Sequence, residues 1–273
     1  MPNQFGKFRI AQKFNELKAK KSCAFISYLC SGDPDFETAL NALKSLPQAG
    51  VDIIEIGVPF LDPSGDGPII EMASKRAIEK GMTLVKTLEM VANFRKNDQK
   101  TPIILMSYFN PILRFGIKNF FADALKSGVD GVLIVDLPLE EEQEIAEVSK
   151  NSDLAVIRLI APATDEARMK KIVKNASGFI YLISLMGITG TKLASIEQNQ
   201  QNLQKLRKLT DLPIAVGFGI KTPQMAGKFA KLGFDGVVIG SSLVEFLAKN
   251  NGANLSQFQD LVQEFASKIK DKN

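Results

Sequence analysis

KSGVDGVLI (126–134) and KLGFDGVVI (231–239) are two copies of one pattern: a basic helix end, a glycine, an aspartate, then an aliphatic run. The glycine suits the left-handed residue that closes a helix, and the aspartate marks the return to a strand. Working outward, similar runs occur at 23–29 (CAFISYL), 53–57 (IIEIG), 102–106 (PIILM), 131–135 (GVLIV), 154–159 (LAVIRL), 179–184 (FIYLIS), 213–218 (PIAVGF) and 236–239 (GVVI). They show little polar alternation, the pattern of parallel strands buried on both faces. Amphipathic stretches separate them. One, 35–49, follows a GDP turn and stops at Gly50; those at 83–94, 164–175 and 222–232 open on threonine, the last with Pro223 at its first helical position. Eight βα units without a Pro/Ser-rich linker predict an α/β protein, a single (βα)8 TIM barrel spanning 1–273 as one domain. A doubly wound open sheet is the alternative that the even spacing disfavours.

Three segments stand outside the repeat. Residues 10–20 read as an extra N-terminal helix that caps the barrel floor. Long loops follow the second strand (60–80, rich in Pro and Gly) and the sixth (185–198, polar). Long loops in a compact domain are usually functional.

Composition narrows the function classes. Apolar residues make up 45 % of the chain and charged ones 23 %, and no apolar run approaches membrane-spanning length. The start, MPNQFGKFRI, lacks a signal core, so the cytoplasm is expected. The net charge of +4 comes from lysines scattered over helix faces, which argues against a nucleic-acid site. Cys23 and Cys30 point to opposite faces of one strand and read as buried, reduced thiols. The chain contains no histidine, so acid–base chemistry falls to carboxylates, lysine, tyrosine or cysteine.

Such barrels place their chemistry at the carboxyl ends of the strands. Glu55 lies there, between Ile54 and Ile56, with no basic residue in or beside its strand. Desolvation should raise its pKa and let it donate a proton near neutrality. The loop that follows carries Asp62, before Pro63 and read as a turn cap, and Asp66, before Gly-Pro and read as facing a ligand. Tyr28, Tyr108 and Tyr181, the only tyrosines, sit in or just after the first, third and sixth strands and suggest an aromatic-walled cavity. GFGI (217–220) and IGSS (239–242) follow the seventh and eighth strands, where backbone N–H groups and a helix start can cradle a phosphate.

These stretches resemble the tryptophan synthase α chain family. IIEIGVPFLDPSGDGPII (53–70), YLISLMGITG (181–190), VGFGI (216–220) and VVIGSSLV (237–244) carry the likeness, with SGDP (31–34), MSYFNP (106–111) and VDLPLEE (135–141) in register. The resemblance implies retro-aldol cleavage of indole-3-glycerol phosphate to indole and glyceraldehyde 3-phosphate, with no cofactor and no metal. It implies Glu55 as the proton shuttle, Asp66 as the stabiliser of charge on the indole nitrogen, and Tyr181 beside Glu55. It also implies Thr189 as the lid residue that meets Asp66. Gly190, Gly219, Gly240 and Ser241 would form the phosphate cradle, and Tyr28, Met106 and Phe218 the walls around the indole. The implied partner is the pyridoxal-phosphate-dependent β subunit, in an αββα heterotetramer whose tunnel receives the indole. The chain departs from the usual family pattern at Leu61, at Ser64-Gly65, at Glu71 and at Leu185-Met186, without losing a catalytic group. The competing readings are another phosphate-binding barrel and an α chain that only activates its β partner.

Overall fold

The apolar runs become strands and the amphipathic stretches become the helices around them. The computed structural model describes residues 5–184, 192–250 and 254–271, with the backbone alone at 192–195. Helix α1 (Lys7–Ala19) leads into β1 (Ala24–Cys30), α2 (Phe36–Ser45), β2 (Ile53–Gly57), α3 (Pro68–Glu79), α4 (Leu84–Arg95) and β3 (Ile103–Ser107). Next come α5 (Phe109–Phe115), α6 (Ile117–Ser127), β4 (Gly131–Ile134), a 3-10 turn (Leu139–Glu141), α7 (Gln143–Lys150), β5 (Ala155–Ile160), α8 (Glu166–Lys174) and β6 (Ile180–Ile183). The chain continues through α9 (Lys192–Arg207), β7 (Ile214–Gly217), α10 (Pro223–Lys231), β8 (Gly236–Ile239), α11 (Ser241–Lys249) and α12 (Leu255–Lys270). The eight strands pair in sequence order, all parallel, and β8 closes on β1. This is the predicted TIM barrel, with the extra N-terminal helix in place. No helix among the described residues is long and apolar enough to cross a membrane.

The aspartate of the repeated sequence pattern explains how neighbouring strands are clipped together. Before each even-numbered strand, one residue bonds twice to the first or second residue of the strand before it. Asp52 donates its N–H to the Phe25 carbonyl (2.9 Å) and accepts the Phe25 N–H on its carboxylate (2.9 Å). Asp130 does the same with Ile103 (2.8 and 2.9 Å), and Asp235 with Ile214 (2.9 and 2.7 Å). Ser177, through its hydroxyl, does so with Val156 (3.0 and 2.8 Å). A strand-end N–H that would otherwise be buried without a partner is thereby satisfied four times around the floor.

Asp130 also anchors α1. Its carboxylate, fully buried, accepts from Gly6 N–H (2.8 Å), Arg9 (2.5 Å) and Arg95 (2.8 Å). Burial pushes the Arg95 guanidinium down to about 10, against the opposing pull of Asp130. Phe14 of α1 packs on Phe179 at 5.7 Å, so the helix lies against the amino-terminal end of the barrel.

Several boundaries differ from the sequence reading. The stretch 35–49 ends its helix at Ser45, because Pro47 lacks an N–H and disfavours helical geometry before it. The stretch 164–175 starts one residue later than its threonine suggested. Thr164 N–H is spent on Ala161 O (3.0 Å), and Asp165 is the cap, accepting from Arg168 N–H (2.8 Å). Thr83 and Thr222 cap as expected. The excursion 60–80 is a loop only to Gly67, after which it forms α3; the segment 185–198 is helical from Lys192. Cys23 and Cys30 are free and buried.

Replacing Asp130 with alanine strips Arg9 of its ion pair and leaves Arg95 only the more distant Asp98 (3.9 Å), and should cost about 3–5 kcal/mol in denaturant unfolding. Asp235→Ala should cost clearly less, since its partner Arg207 is 38 % exposed. Equal losses would contradict the assigned role of Asp130.

Candidate active site

The carboxyl ends of the strands form the mouth of the barrel. Among the described strand residues only Leu159 and Ile183 escape full burial, and both lie at carboxyl ends. Glu55 stands one layer inside this mouth, in register with Tyr28 of β1 and Ile104 of β3. It is 3 % exposed, its Oε1 has no hydrogen-bond partner among the described residues, and no salt bridge reaches it there. Burial, and then the charge of Asp66, push its pKa up to about 8. A carboxyl group so placed keeps its proton at neutral pH.

Two tyrosines flank it, each made possible by glycine. A Cβ on Gly57 would lie 2.1 Å from the Tyr28 hydroxyl oxygen, and one on Gly240 would lie 3.2 Å from Tyr28 Cβ. A Cβ on Gly217 would lie 2.1 Å from the Tyr181 hydroxyl oxygen. The hydroxyl end of each ring therefore reaches over the neighbouring strand at a residue that carries no side chain. Burial raises both phenol pKa values well above normal, with Glu55 and Asp66 adding to the effect on each.

Asp66 comes from the loop between β2 and α3. Burial pushes its pKa up to about 6, the Tyr108 hydroxyl pulls it back, and Glu71 pushes it higher. The oxygen of Tyr108 accepts the N–H of Gly65 (3.0 Å), and the Phe60 ring stacks on Tyr108 with centroids 5.2 Å apart. Asp62 is exposed, and the capping hydrogen bond expected of it is not formed among the described residues.

The late loops complete the mouth. Phe218 holds a left-handed φ of 69°, rare and costly for a residue with a side chain, and Gly219 follows at 71°. Ser184 fixes this turn: its N–H donates to Gly217 O (2.8 Å), and its hydroxyl donates to Phe218 O. The Phe218 ring meets Tyr181 edge-on at 5.8 Å. Gly240 is the N-cap of α11, and its carbonyl accepts from Leu243 (2.9 Å) and Val244 (3.0 Å). Ser241 and Ser242 thus occupy the first turn, where N–H groups have no carbonyl four residues back. The Ser242 hydroxyl donates to Lys221 O (2.8 Å), tying the seventh loop to the eighth. Met106 is buried on β3, paired with Gly57 and Leu133. Thr189, Gly190, Leu185 and Met186 lie outside the described residues.

The closed barrel thus combines a proton-bearing Glu55, an acidic loop and two glycine-bearing turns at one mouth. Residues 14–272 match the tryptophan synthase α chain family. The chain belongs to that family. Its members are lyases that act on indole-3-glycerol phosphate, and this chain is one of them. Among solved structures, a protein from Aquifex aeolicus VF5 is 35 % identical with a TM-score of 0.88, over 96 % of this chain and 99 % of that one. Tryptophan synthase subunit alpha from Legionella pneumophila is 34 % identical with a TM-score of 0.87, over 96 % and 98 %. Tryptophan synthase from M. tuberculosis, in an aminoacrylate-bound form, is 30 % identical with a TM-score of 0.86, over 96 % and 99 %.

For this α chain, sequence reasoning brought Glu55, Asp66, Tyr28, Tyr181 and Phe218 to one mouth. It missed Ser184 and Phe60, and it counted Tyr108 without pairing it to the acidic loop. Only the strand-end position of MSYFNP hinted at that contact.

The glycine argument is testable. Gly57→Ala should cost about 1–3 kcal/mol through overpacking against Tyr28. Gly67→Ala, with no atom within 4 Å of the new methyl group, should cost a few tenths of that. Similar unfolding midpoints for the two variants would refute the packing of Tyr28 over β2.

Proposed function

We propose that Glu55, Asp66 and Tyr181 carry the retro-aldol cleavage of indole-3-glycerol phosphate at this mouth. The observation that supports it best is Glu55, buried with no cation paired to it among the described residues and with its pKa raised to about 8. Cleavage begins with a proton passing from the Glu55 carboxyl to indole C3. The ring becomes a cationic indolenine, and Asp66, ionised above about pH 6, balances the charge on its nitrogen. The C3–C bond then breaks and its electron pair returns to the ring. The adjacent glycerol hydroxyl becomes the aldehyde and gives up its proton to the Glu55 carboxylate, which restores the acid. The products are indole and glyceraldehyde 3-phosphate, and the enzyme returns to its starting protonation state.

Tyr28, Met106 and Phe218 wall the indole in this reading. The phosphate sits on Gly190, Gly219, Gly240 and Ser241, and Thr189 is the lid residue that meets Asp66. Backbone N–H groups at the start of α11 suit a dianion, because the helix dipole adds to their donation. The family implies a β subunit as partner. We take the assembly to be an αββα heterotetramer that passes indole to the β subunit, with the α chain folded as one domain and working in the cytoplasm. Leu61 (68 % exposed) and Leu113 (53 %) both follow strand ends, and their apolar side chains stand ready for such a contact.

Two ionisations bracket the working range. The rate should rise through about pH 6 as Asp66 ionises, and fall through about pH 8 as Glu55 loses its proton. Assayed with the β subunit, Glu55→Gln should lower kcat at least about 100-fold. A wild-type rate no higher than that of the variant would leave only a scaffold role.

A further inference from the structure

Asp66 lies on a loop that runs from Pro59 through Pro68 and holds three prolines and two glycines, ends included, so something must hold its carboxylate at the mouth. The contacts converge on one atom. Tyr108, 3 % exposed at the end of β3, accepts the N–H of Gly65, the residue directly before Asp66. Phe60, from the start of the same loop, stacks on the Tyr108 ring, so the loop is gripped on both sides of its bend. Tyr108 itself is rigidly mounted. It is the N-cap of α5, and the next residue, Phe109, donates its N–H to Asp136 at 2.7 Å. A Cβ on Gly65 would meet Val135 at 2.8 Å, so the loop lies pressed against the strand end beyond β4.

The chemistry of the phenol completes the case. Its oxygen accepts from Gly65 and therefore still has its own proton to place. A buried hydroxyl needs an acceptor, and the carboxylate of the next residue stands beside it. A hydroxyl that already accepts a hydrogen bond is a stronger donor. We propose that Tyr108 is the positioning residue for Asp66, donating its hydroxyl proton to the Asp66 carboxylate while gripping the loop through Gly65 and Phe60.

This inference rests on the reading of Asp66 as the charge stabiliser and adds how its ionisation is kept. Burial and Glu71 on α3 push the Asp66 carboxyl group toward its protonated form, and the Tyr108 hydroxyl opposes them. Glu55 on β2, Tyr28 on β1 and Tyr181 on β6 also face Asp66 electrostatically, and Asp136 acts on Tyr108 from beyond β4. Burial and Asp66 raise the Tyr108 phenol itself, so it remains a donor throughout the working range.

Tyr108→Phe keeps the ring on Phe60 and removes only the hydroxyl. Asp66 is titrated by carbon-13 NMR in the whole chain without substrate, and the pH profile of kcat is measured with the β subunit. Losing a hydrogen bond to a charged group should raise both the Asp66 midpoint and the acid limb by about one pH unit. A difluorinated tyrosine at position 108, a stronger donor, should move both downward. An Asp66 midpoint unchanged in both proteins overturns the inference. A midpoint that shifts in a chain with no cleavage activity supports the role of Tyr108 and removes the proposed function instead.

Discussion

A carboxyl group placed in a closed barrel, with no cation paired to it among the described residues, keeps its proton, and the mouth of this protein is arranged around that constraint. Desolvation of Glu55 does what histidine does in many enzymes, supplying a group that changes charge near neutral pH. The chain has no histidine to fill the role. A second carboxylate, Asp66, deepens the effect and is itself less desolvated, so the two titrate apart, at about 8 and about 6. Separated acid and base are what a reaction needs when one group donates while the other balances charge. The tyrosines crossing Gly57 and Gly217 fill the space on either side with groups that carry no charge near neutrality.

The two ends of the barrel solve the problem of buried charge in opposite ways. At the floor, Asp130 is buried with two guanidiniums and two backbone N–H groups on its oxygens, so its charge is fully compensated. At the mouth, Glu55 Oε1 has no hydrogen-bond partner among the described residues. The first arrangement fixes the fold and docks α1. The second stores the reactivity. Left-handed backbone occurs at both ends, at Lys21 before β1 and at Phe218 at the mouth, where Ser184 ties it.

The fold was legible because it is written in local chemistry. Apolar runs, glycine helix ends and the aspartates before even strands each encode one step of the βα unit, and parallel pairing follows from their order. What failed was equally local. Thr164 and Asp165 are both competent caps, and only the turn that takes up the Thr164 N–H decides between them. Glu55 stood out as a carboxylate in an apolar strand, and Asp66 as an acidic residue in a Pro/Gly-fixed loop, signals that survive in one dimension. Tyr108 did not, because its meaning lies in an approach to Gly65 that spans 43 residues. Ser184 was hidden for the same reason, being a small polar residue whose carbonyl partner lies 34 residues away.

The central claim concerns one proton, and it can be observed without turnover. Infrared or carbon-13 titration of the unliganded chain, with Glu55→Gln as the blank, isolates the signal of that one carboxyl group. The account predicts a midpoint near pH 8 and a protonated group at neutrality. A midpoint between about 4 and 5, the range of a glutamate in water, would contradict it.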